Sequence, residues 1–449
     1  MLEKVRTKIV SRVFDGSGIW SGMRDQHYTV SFGRRSAWGK MVPLVASTRD
    51  LMQHTFIVGK TGTGKSTLIE SLLLQHIAAG SGVGLLDPHG DLARHVLELL
   101  PPETADRLVY FNPADQEWPI GFNVLHNVSP SRRHLIVSGV IAAMRSIWHD
   151  SWGPRMEYIL ANTLAALVEC QNITLLAAQR MLTDAHFRRR VLRQVHDPVV
   201  QAFWTNEYER YDDRFRREAI APIQNKIGQF LMVEPLRNVL GQIKRKVDLR
   251  FMMDTGRIFI ANLSKGELGE DAASLMGSLL VTEFHLAALS RTNVPVHDRR
   301  PFFLFIDEFS SFGTNRFSPI MAESRKFGLS LTLAAQHLSG TAPAIRDAIL
   351  GNVGSIVAFR VGDQDAEYLA RELGGGFSRS AFTSLGNYSF ATKLLVEGEH
   401  GDPVLGATDL PDFPRFGRHD AIVRHCRQKY ATPRPIVEDR LRRWFGQVN

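Results

Sequence analysis

The segment Gly59-Lys60-Thr61-Gly62-Thr63-Gly64-Lys65-Ser66 constrains this chain more than any other, because it fits the phosphate-binding pattern GxxxxGK[ST]. Its glycines let successive backbone N–H groups close around phosphate oxygens. Lys65 can reach the β- and γ-phosphates of a nucleotide, and the Ser66 hydroxyl can ligate Mg²⁺. Together with Thr67, the residues Gly59, Thr61, Gly62, Thr63, Gly64, Lys65 and Ser66 form the expected nucleotide-contacting set. By composition such a match arises by chance in roughly one chain of this length in a hundred. Its context agrees: TFIVG (55–59) is a β-branched run ending in glycine, and LIESLLLQHIAA (68–79) has a helical pattern. A strand, a phosphate-gripping loop and a helix commit the chain to an α/β fold.

Further strand candidates follow at VGLLD (83–87), LVYFN (108–112), RIFIANL (257–263), FFLFID (302–307), LSLTLAA (329–335) and VGSIVAFRV (353–361). Helical stretches separate most of them, which predicts a largely parallel sheet covered on both faces. The alternation stops after Asn112, and the chain from Ser131 to about Leu249 reads as successive amphipathic helices such as MEYILANTLAALVE. The expected organisation is therefore a short strand element at 1–50, an α/β ATPase core at 51–130 and 251–425, an inserted all-α domain at 131–250, and a basic tail at 426–449.

Phe302-Phe-Leu-Phe-Ile306-Asp307-Glu308 is an apolar strand ending in two carboxylates. Adjacent carboxylates at the end of a buried strand need a cation or a reaction to offset their desolvation. Asp307 would complete the Mg²⁺ shell with Ser66, and Glu308 would polarise the attacking water. An Asp-Glu pair also serves as a plain helix cap; its coupling to the phosphate loop points to catalysis. The next strand ends at Gln336, an amide placed to sense the γ-phosphate and position water if that strand neighbours the one carrying Asp307. The bland alternative is a surface glutamine in a loop.

Net charge is +8, with +5 over residues 1–50, +6 over 178–250 and +6 over 415–449, so the remainder is net acidic. This segregation favours a basic surface on the additions to the core, suited to a polyanion. Two clusters stand out in the insertion: Arg188, Arg189, Arg190 and Arg193, and Lys244, Arg245 and Lys246. Either could contact DNA or be a solvated face. Cys170 and Cys426 have no motif spacing and read as small buried hydrophobes. No apolar run is expected to span a bilayer, and MLEKVRTKIV lacks the apolar centre of a secretory signal, so the expected address is the cytoplasm, without direct membrane insertion.

The segments HTFIVGKTGTGKST, GLLDPHGDL, FLFIDEF, ESRKFGLSLTLAAQ and GNVGSIVAFRVGDQDA together resemble the HerA/FtsK superfamily of DNA-pumping ATPases, and more closely the TraG/TraD-type conjugative coupling ATPases of type IV secretion. The resemblance runs from about Leu51 to Gly398 and takes in the insertion through WGPRMEYIL, MLTD, APIQNKIG and IANLSKGELGE. It implies a RecA-like P-loop NTPase core assembled as a homo-hexamer, with ATP and Mg²⁺ at subunit interfaces and single- or double-stranded DNA in the central channel.

It further implies a membrane or relaxosome subunit as a partner. An arginine from a neighbouring subunit should stabilise the transferring phosphoryl group, with Arg360 as first candidate, Arg346 second and Arg325 third. The chain departs from membrane-bound coupling proteins in having no amino-terminal membrane helices, and about fifty residues leave little room for the β-barrel that many HerA proteins carry. The expected function is an ATP-driven DNA translocase or helicase in conjugative transfer or DNA processing. The alternatives are a type IV secretion ATPase acting on proteins and a nucleotide-gated assembly module, the latter disfavoured by the set Lys65, Asp307, Glu308 and Gln336.

Overall fold

A computed structural model describes residues 28–312, 317–339, 341–374, 376–409 and 413–446. The opening segment MLEKVRTKIV, and with it the reading of a missing signal, lies outside the described residues. Thirteen strands are described: β1 Thr29–Ala37, β2 Lys40–Ser47, β3 Thr55–Val58, β4 Gly82–Asp87, β5 Leu108–Phe111, β6 Ile258–Asn262, β7 Phe302–Ile306, β8 Leu329–Ala335, β9 Ser355–Ala358, β10 Ser389–Lys393, β11 Leu395–Val396, β12 Glu399–His400 and β13 Val404–Ala407. All but β11 and β12, which pair with each other, join one sheet in the order β2-β1-β13-β10-β9-β3-β8-β7-β4-β6-β5.

The run from β9 to β5 is parallel throughout, while β10, β13, β1 and β2 extend it antiparallel on the β9 side. The difference follows from burial. Strands β3, β4, β6, β7, β8 and β9 are buried at every residue, whereas β1 and β2 mix buried and exposed positions. A strand covered on both faces reads as a continuous apolar run, and a half-covered one alternates.

Period-two alternation sends side chains to two cores. Phe56, Val58, Leu304, Ile306, Leu331 and Leu333 face one side; there they merge with the helix Glu270–Leu289 and with Leu160, Leu164 and Trp204 of the inserted helices. Ile57, Leu85, Phe303, Phe305 and Val357 face the other, under the helices Lys65–Ala78 and Asp91–Leu99. The chain between β5 and β6 contains only helices, and their apolar faces run into the sheet's own core without a polar seam. Gly139 permits one close approach, since a Cβ there would lie 2.5 Å from Thr282 Cγ2 of the helix Glu270–Leu289. The fold is a RecA-like P-loop core with a helical insertion.

The expectation of no bilayer-length apolar run needs one correction. The segment Glu270–Asn293 reaches a mean hydropathy of 1.4, but 89% of that window is buried inside the protein. Its length and composition serve a core helix surrounded by protein. Residues 426–446 form two docked helical stretches joined at 431–433: the helix His419–Tyr430 runs across the 425/426 boundary, and Cys426 packs under β5, with its Sγ 3.6 Å from Leu108 O. The helix Arg434–Gly446 sets Val437 and Leu441 on Leu176, and Arg180 lies against the rings of Phe187 and Trp444.

Candidate nucleotide site

The phosphate loop leaves β3 at Gly59, whose N–H donates to Ala335 O at 3.2 Å, while the Lys60 N–H donates to Arg360 O at 2.8 Å. The loop is thus hung between β8 and β9. Gly62 and Gly64 have φ of +76° and +114°, which side chains rarely adopt, and Gly64 caps the helix Lys65–Ala78. Lys65 is 7% exposed and its Nζ donates to Gly59 O at 2.5 Å and Lys60 O at 3.1 Å. Thr63 Oγ1 donates to Lys60 O at 2.7 Å, so the loop is closed from within. Ser66 stands exposed at its rim and Thr67 is half-buried.

Asp307 and Glu308 follow β7, which lies two strands from β3 with β8 between. Asp307 is buried and Glu308 sits at φ +46°, with its N–H on Asp307 Oδ1 at 3.0 Å and its carboxylate accepting from Ser310 Oγ at 2.9 Å. A glutamate held in the left-handed region is strained backbone of the kind that clusters at functional sites. Burial lowers the Lys65 pKa, against the opposing pull of Asp307 and Glu308. Burial first, then the neighbouring Asp87 and Glu308 carboxylates, push Asp307 up to about 6, with Lys65 and His89 pulling the other way. The phosphate loop and the carboxylate pair therefore share one electrostatic site.

Gln336 follows β8, the strand that hydrogen-bonds to both β3 and β7, so it stands half-buried on the edge between the loop and Asp307. Among the described residues no group of three or more His, Cys, Asp or Glu is built to hold a metal on its own. That suits Mg²⁺, which takes one or two protein oxygens and completes its shell with phosphates and water. Three carboxylates, Asp87, Asp307 and Glu308, gather near one buried ammonium, and an added cation relieves this imbalance.

Two features escaped the sequence reading. Asp87, at the end of β4, is fully buried and accepts from the N–H groups of His89 and Ala93, each at 2.9 Å; it pins the turn that presents His89 beside Asp307. A strand ending in Asp within GLLDPHGDL was the available signal. Tyr388, just before β10, lies against Gly64, and only strand pairing brings it there.

Of the arginines, Arg360 donates to Leu385 O at 3.3 Å and to Asn387 Oδ1 at 3.1 Å, beside its own phosphate loop. Arg346 lies 4.4 Å from the Tyr368 ring centroid and pairs with Asp347. Arg325 is exposed, at the opposite end of β8, and donates to Gln53 Oε1 at 3.2 Å.

The basic clusters divide differently from their spacing. Arg188 points inward, its side chain 3% exposed and paired with Glu209, which leaves Arg189, Arg190 and Arg193 on the surface. Arg245 pairs with Glu283 and Lys246 Nζ donates to Ala431 O at 2.6 Å, so these two tie the insertion to the core and the C-terminal helices, while Lys244 stands exposed. Both cysteines are buried and unpaired, and burial pushes each thiol up to about 11.

Residues 39–385 match the family described as the type IV secretion-system coupling protein DNA-binding domain. Among solved structures, the bacterial conjugative coupling protein TrwBdeltaN70 in an unbound form superposes with a TM-score of 0.58 at 16% identity, over 85% of this chain and 90% of that one. Plasmid coupling protein TrwB in complex with the non-hydrolysable ATP analogue ADPNP gives 0.57 at 16% identity, over 82% and 88%. VirB4 of Thermoanaerobacter pseudethanolicus gives 0.54 at 16% identity, over 88% and 99%. At these identities the structures speak to the fold. No protein of curated function matches the sequence.

Proposed function

This chain belongs to the family of the type IV secretion-system coupling protein DNA-binding domain, and on that premise we propose that it is an ATP-hydrolysing motor that moves DNA through a homo-hexameric ring. The observation that carries the reading is the meeting of buried Lys65 and Asp307 with half-buried Glu308 in one site, with the Gln336 strand between them. A pure binding module has no use for a second, strained carboxylate beside the first.

Lys65 would exchange its two carbonyl partners for the β- and γ-phosphates, and the loop N–H groups from Thr61 to Thr67 would hold the phosphate chain. Ser66 and Asp307 would hold Mg²⁺, which supplies charge compensation for the phosphates; that plasmid coupling protein TrwB forms a complex with ADP and Mg²⁺ supports a nucleotide and magnesium as the cofactors. Glu308 is the group that polarises water, and Gln336 the one that orients it. The arginine supplied in trans is Arg360 in this reading, with Arg346 and Arg325 as the alternatives.

The test compares Lys65→Ala with Glu308→Gln. The first should abolish hydrolysis; the second should retain nucleotide binding and lose a factor of about a hundred or more in turnover, the scale of general acid–base catalysis. Near-normal turnover in Glu308→Gln would move the base elsewhere. In verified mixed rings, an inactive Arg360→Ala chain should recover activity with an inactive Lys65→Ala chain, since one interface then joins an intact loop to an intact arginine. Recovery with Arg346→Ala or Arg325→Ala instead would transfer that role.

A further inference from the structure

On the side away from Asp307, the phosphate loop meets an aromatic ring. The Tyr388 N–H donates to Thr63 O at 2.8 Å, and its carbonyl accepts from Thr408 N at 2.8 Å, so the residue is clamped between the loop and the chain leaving β13. Its φ is +62°, an outlier for a bulky side chain, which persists only where the surroundings over-determine it. The ring edge presses on Gly64, where a Cβ would come within 2.9 Å of Tyr388 Cδ1. Tyr388 is nonetheless 40% exposed, whereas Phe359 beneath the same loop is wholly buried. Packing explains Phe359; it does not explain why the second ring is held at the loop with a face in solvent.

Strand order says which part of a nucleotide faces that ring. From β3, the carboxylates that follow β7 lie two strands away across β8, and Tyr388, just before β10, lies two strands away on the opposite side, across β9. A triphosphate gripped by Lys65 with its terminal phosphate toward Asp307 and Glu308 must send its nucleoside the other way. We propose that Tyr388 is the base-stacking residue of the nucleotide site, its exposed ring taking the purine of a nucleoside triphosphate. Stacking reads a π face and not a hydrogen-bonding edge, so Tyr388 holds adenine and guanine alike. This inference rests on the nucleotide reading of the phosphate loop and deepens it.

The experiment measures dissociation constants for Mg-ATP, Mg-GTP and Mg-tripolyphosphate, which has no base, in the wild type and in Tyr388→Phe, Tyr388→Leu and Tyr388→Ala. The leucine variant keeps bulk against Gly64 and so guards against a loop that collapses in the alanine variant. Loss of the ring should weaken both nucleotides about 5- to 150-fold, the range of base–aromatic stacking, and leave tripolyphosphate within about twofold. Tyr388→Phe should bind all three as the wild type does. Equal weakening of nucleotides and tripolyphosphate would overturn the proposal, because Tyr388 would then act by holding the loop. Unchanged nucleotide affinity in Tyr388→Leu and Tyr388→Ala would overturn it as well. A folded wild type that binds neither nucleotide would defeat the nucleotide reading itself, an outcome distinct from a loss confined to the Tyr388 variants.

Discussion

At the scale of single residues, Asp307 sets function against stability. Its folded pKa, pushed up to about 6 by burial and by Asp87 and Glu308, lies above the ordinary 3.8. The folded protein therefore holds that proton more tightly than the unfolded chain. The stabilisation this gives is complete below about pH 4 and is lost as pH rises through about 6. In metal-free, nucleotide-free protein, Asp307→Asn should be more stable than wild type near pH 7.5, by roughly 2–3 kcal/mol, with the gap closing toward pH 4. Thermal unfolding across that pH range reads it out. A less stable Asp307→Asn at pH 7.5 would mean that Lys65 favours the carboxylate more than burial disfavours it. That Lys65, Asp307 and Glu308 meet in one place was legible in the sequence because Lys65 opens the helix after the phosphate loop and the two carboxylates close a strand, each in a pattern local to the chain. Tyr388 was not, because only the pairing of β10 with β9 brings it to the phosphate loop, and Asp87 was overlooked although it too closes a strand.

Among the elements, the helix Glu270–Leu289 holds the segment that follows the carboxylates. Ser274 Oγ donates to Ser311 O at 2.7 Å and Ser278 Oγ donates to Phe312 O at 3.1 Å, so the turn Phe309–Phe312 is fastened to this helix immediately after Glu308. Gly277 makes the contact possible, because a Cβ there would overlap the Phe312 ring. Glycine inside a helix ordinarily costs about 1 kcal/mol relative to alanine, but here the sign should reverse. Gly277→Ala should destabilise the protein by about 1–3 kcal/mol through overpacking and lower turnover by displacing Glu308. Denaturant unfolding and an ATPase assay check both, and a more stable, fully active Gly277→Ala would show that the ring moves aside freely. Alternation and length were enough to read β3 to β9 and the helical insertion, but not the short strands β10 to β13, of two to five residues each, which pair antiparallel beyond β9 or with each other. Arg188 and Arg245 turn to ion pairs that spacing could not show, since it tells which residues share a helix face but not that Glu209 or Glu283 lies opposite, whereas Lys246 is exposed and still reaches the Ala431 carbonyl.

For the whole molecule, the sheet edge that carries Gly59, Gln336 and Asp307 gathers the chemistry, and the inserted helices share one packed core with β7 and β8 behind it. The surface of that insertion keeps Arg189, Arg190 and Arg193 free of the acidic partner that occupies Arg188. A motor built this way should spend ATP fastest when its polyanion is engaged. The most direct measurement is steady-state ATP turnover of the wild type, with and without single- and double-stranded DNA, against Glu308→Gln as the blank. A DNA-moving ATPase should show measurable basal turnover that rises with one or both forms of DNA, and turnover lower by about a hundredfold or more in Glu308→Gln. Turnover that is indifferent to both forms of DNA in verified ring assemblies, or absent altogether, would contradict a DNA-moving ATPase.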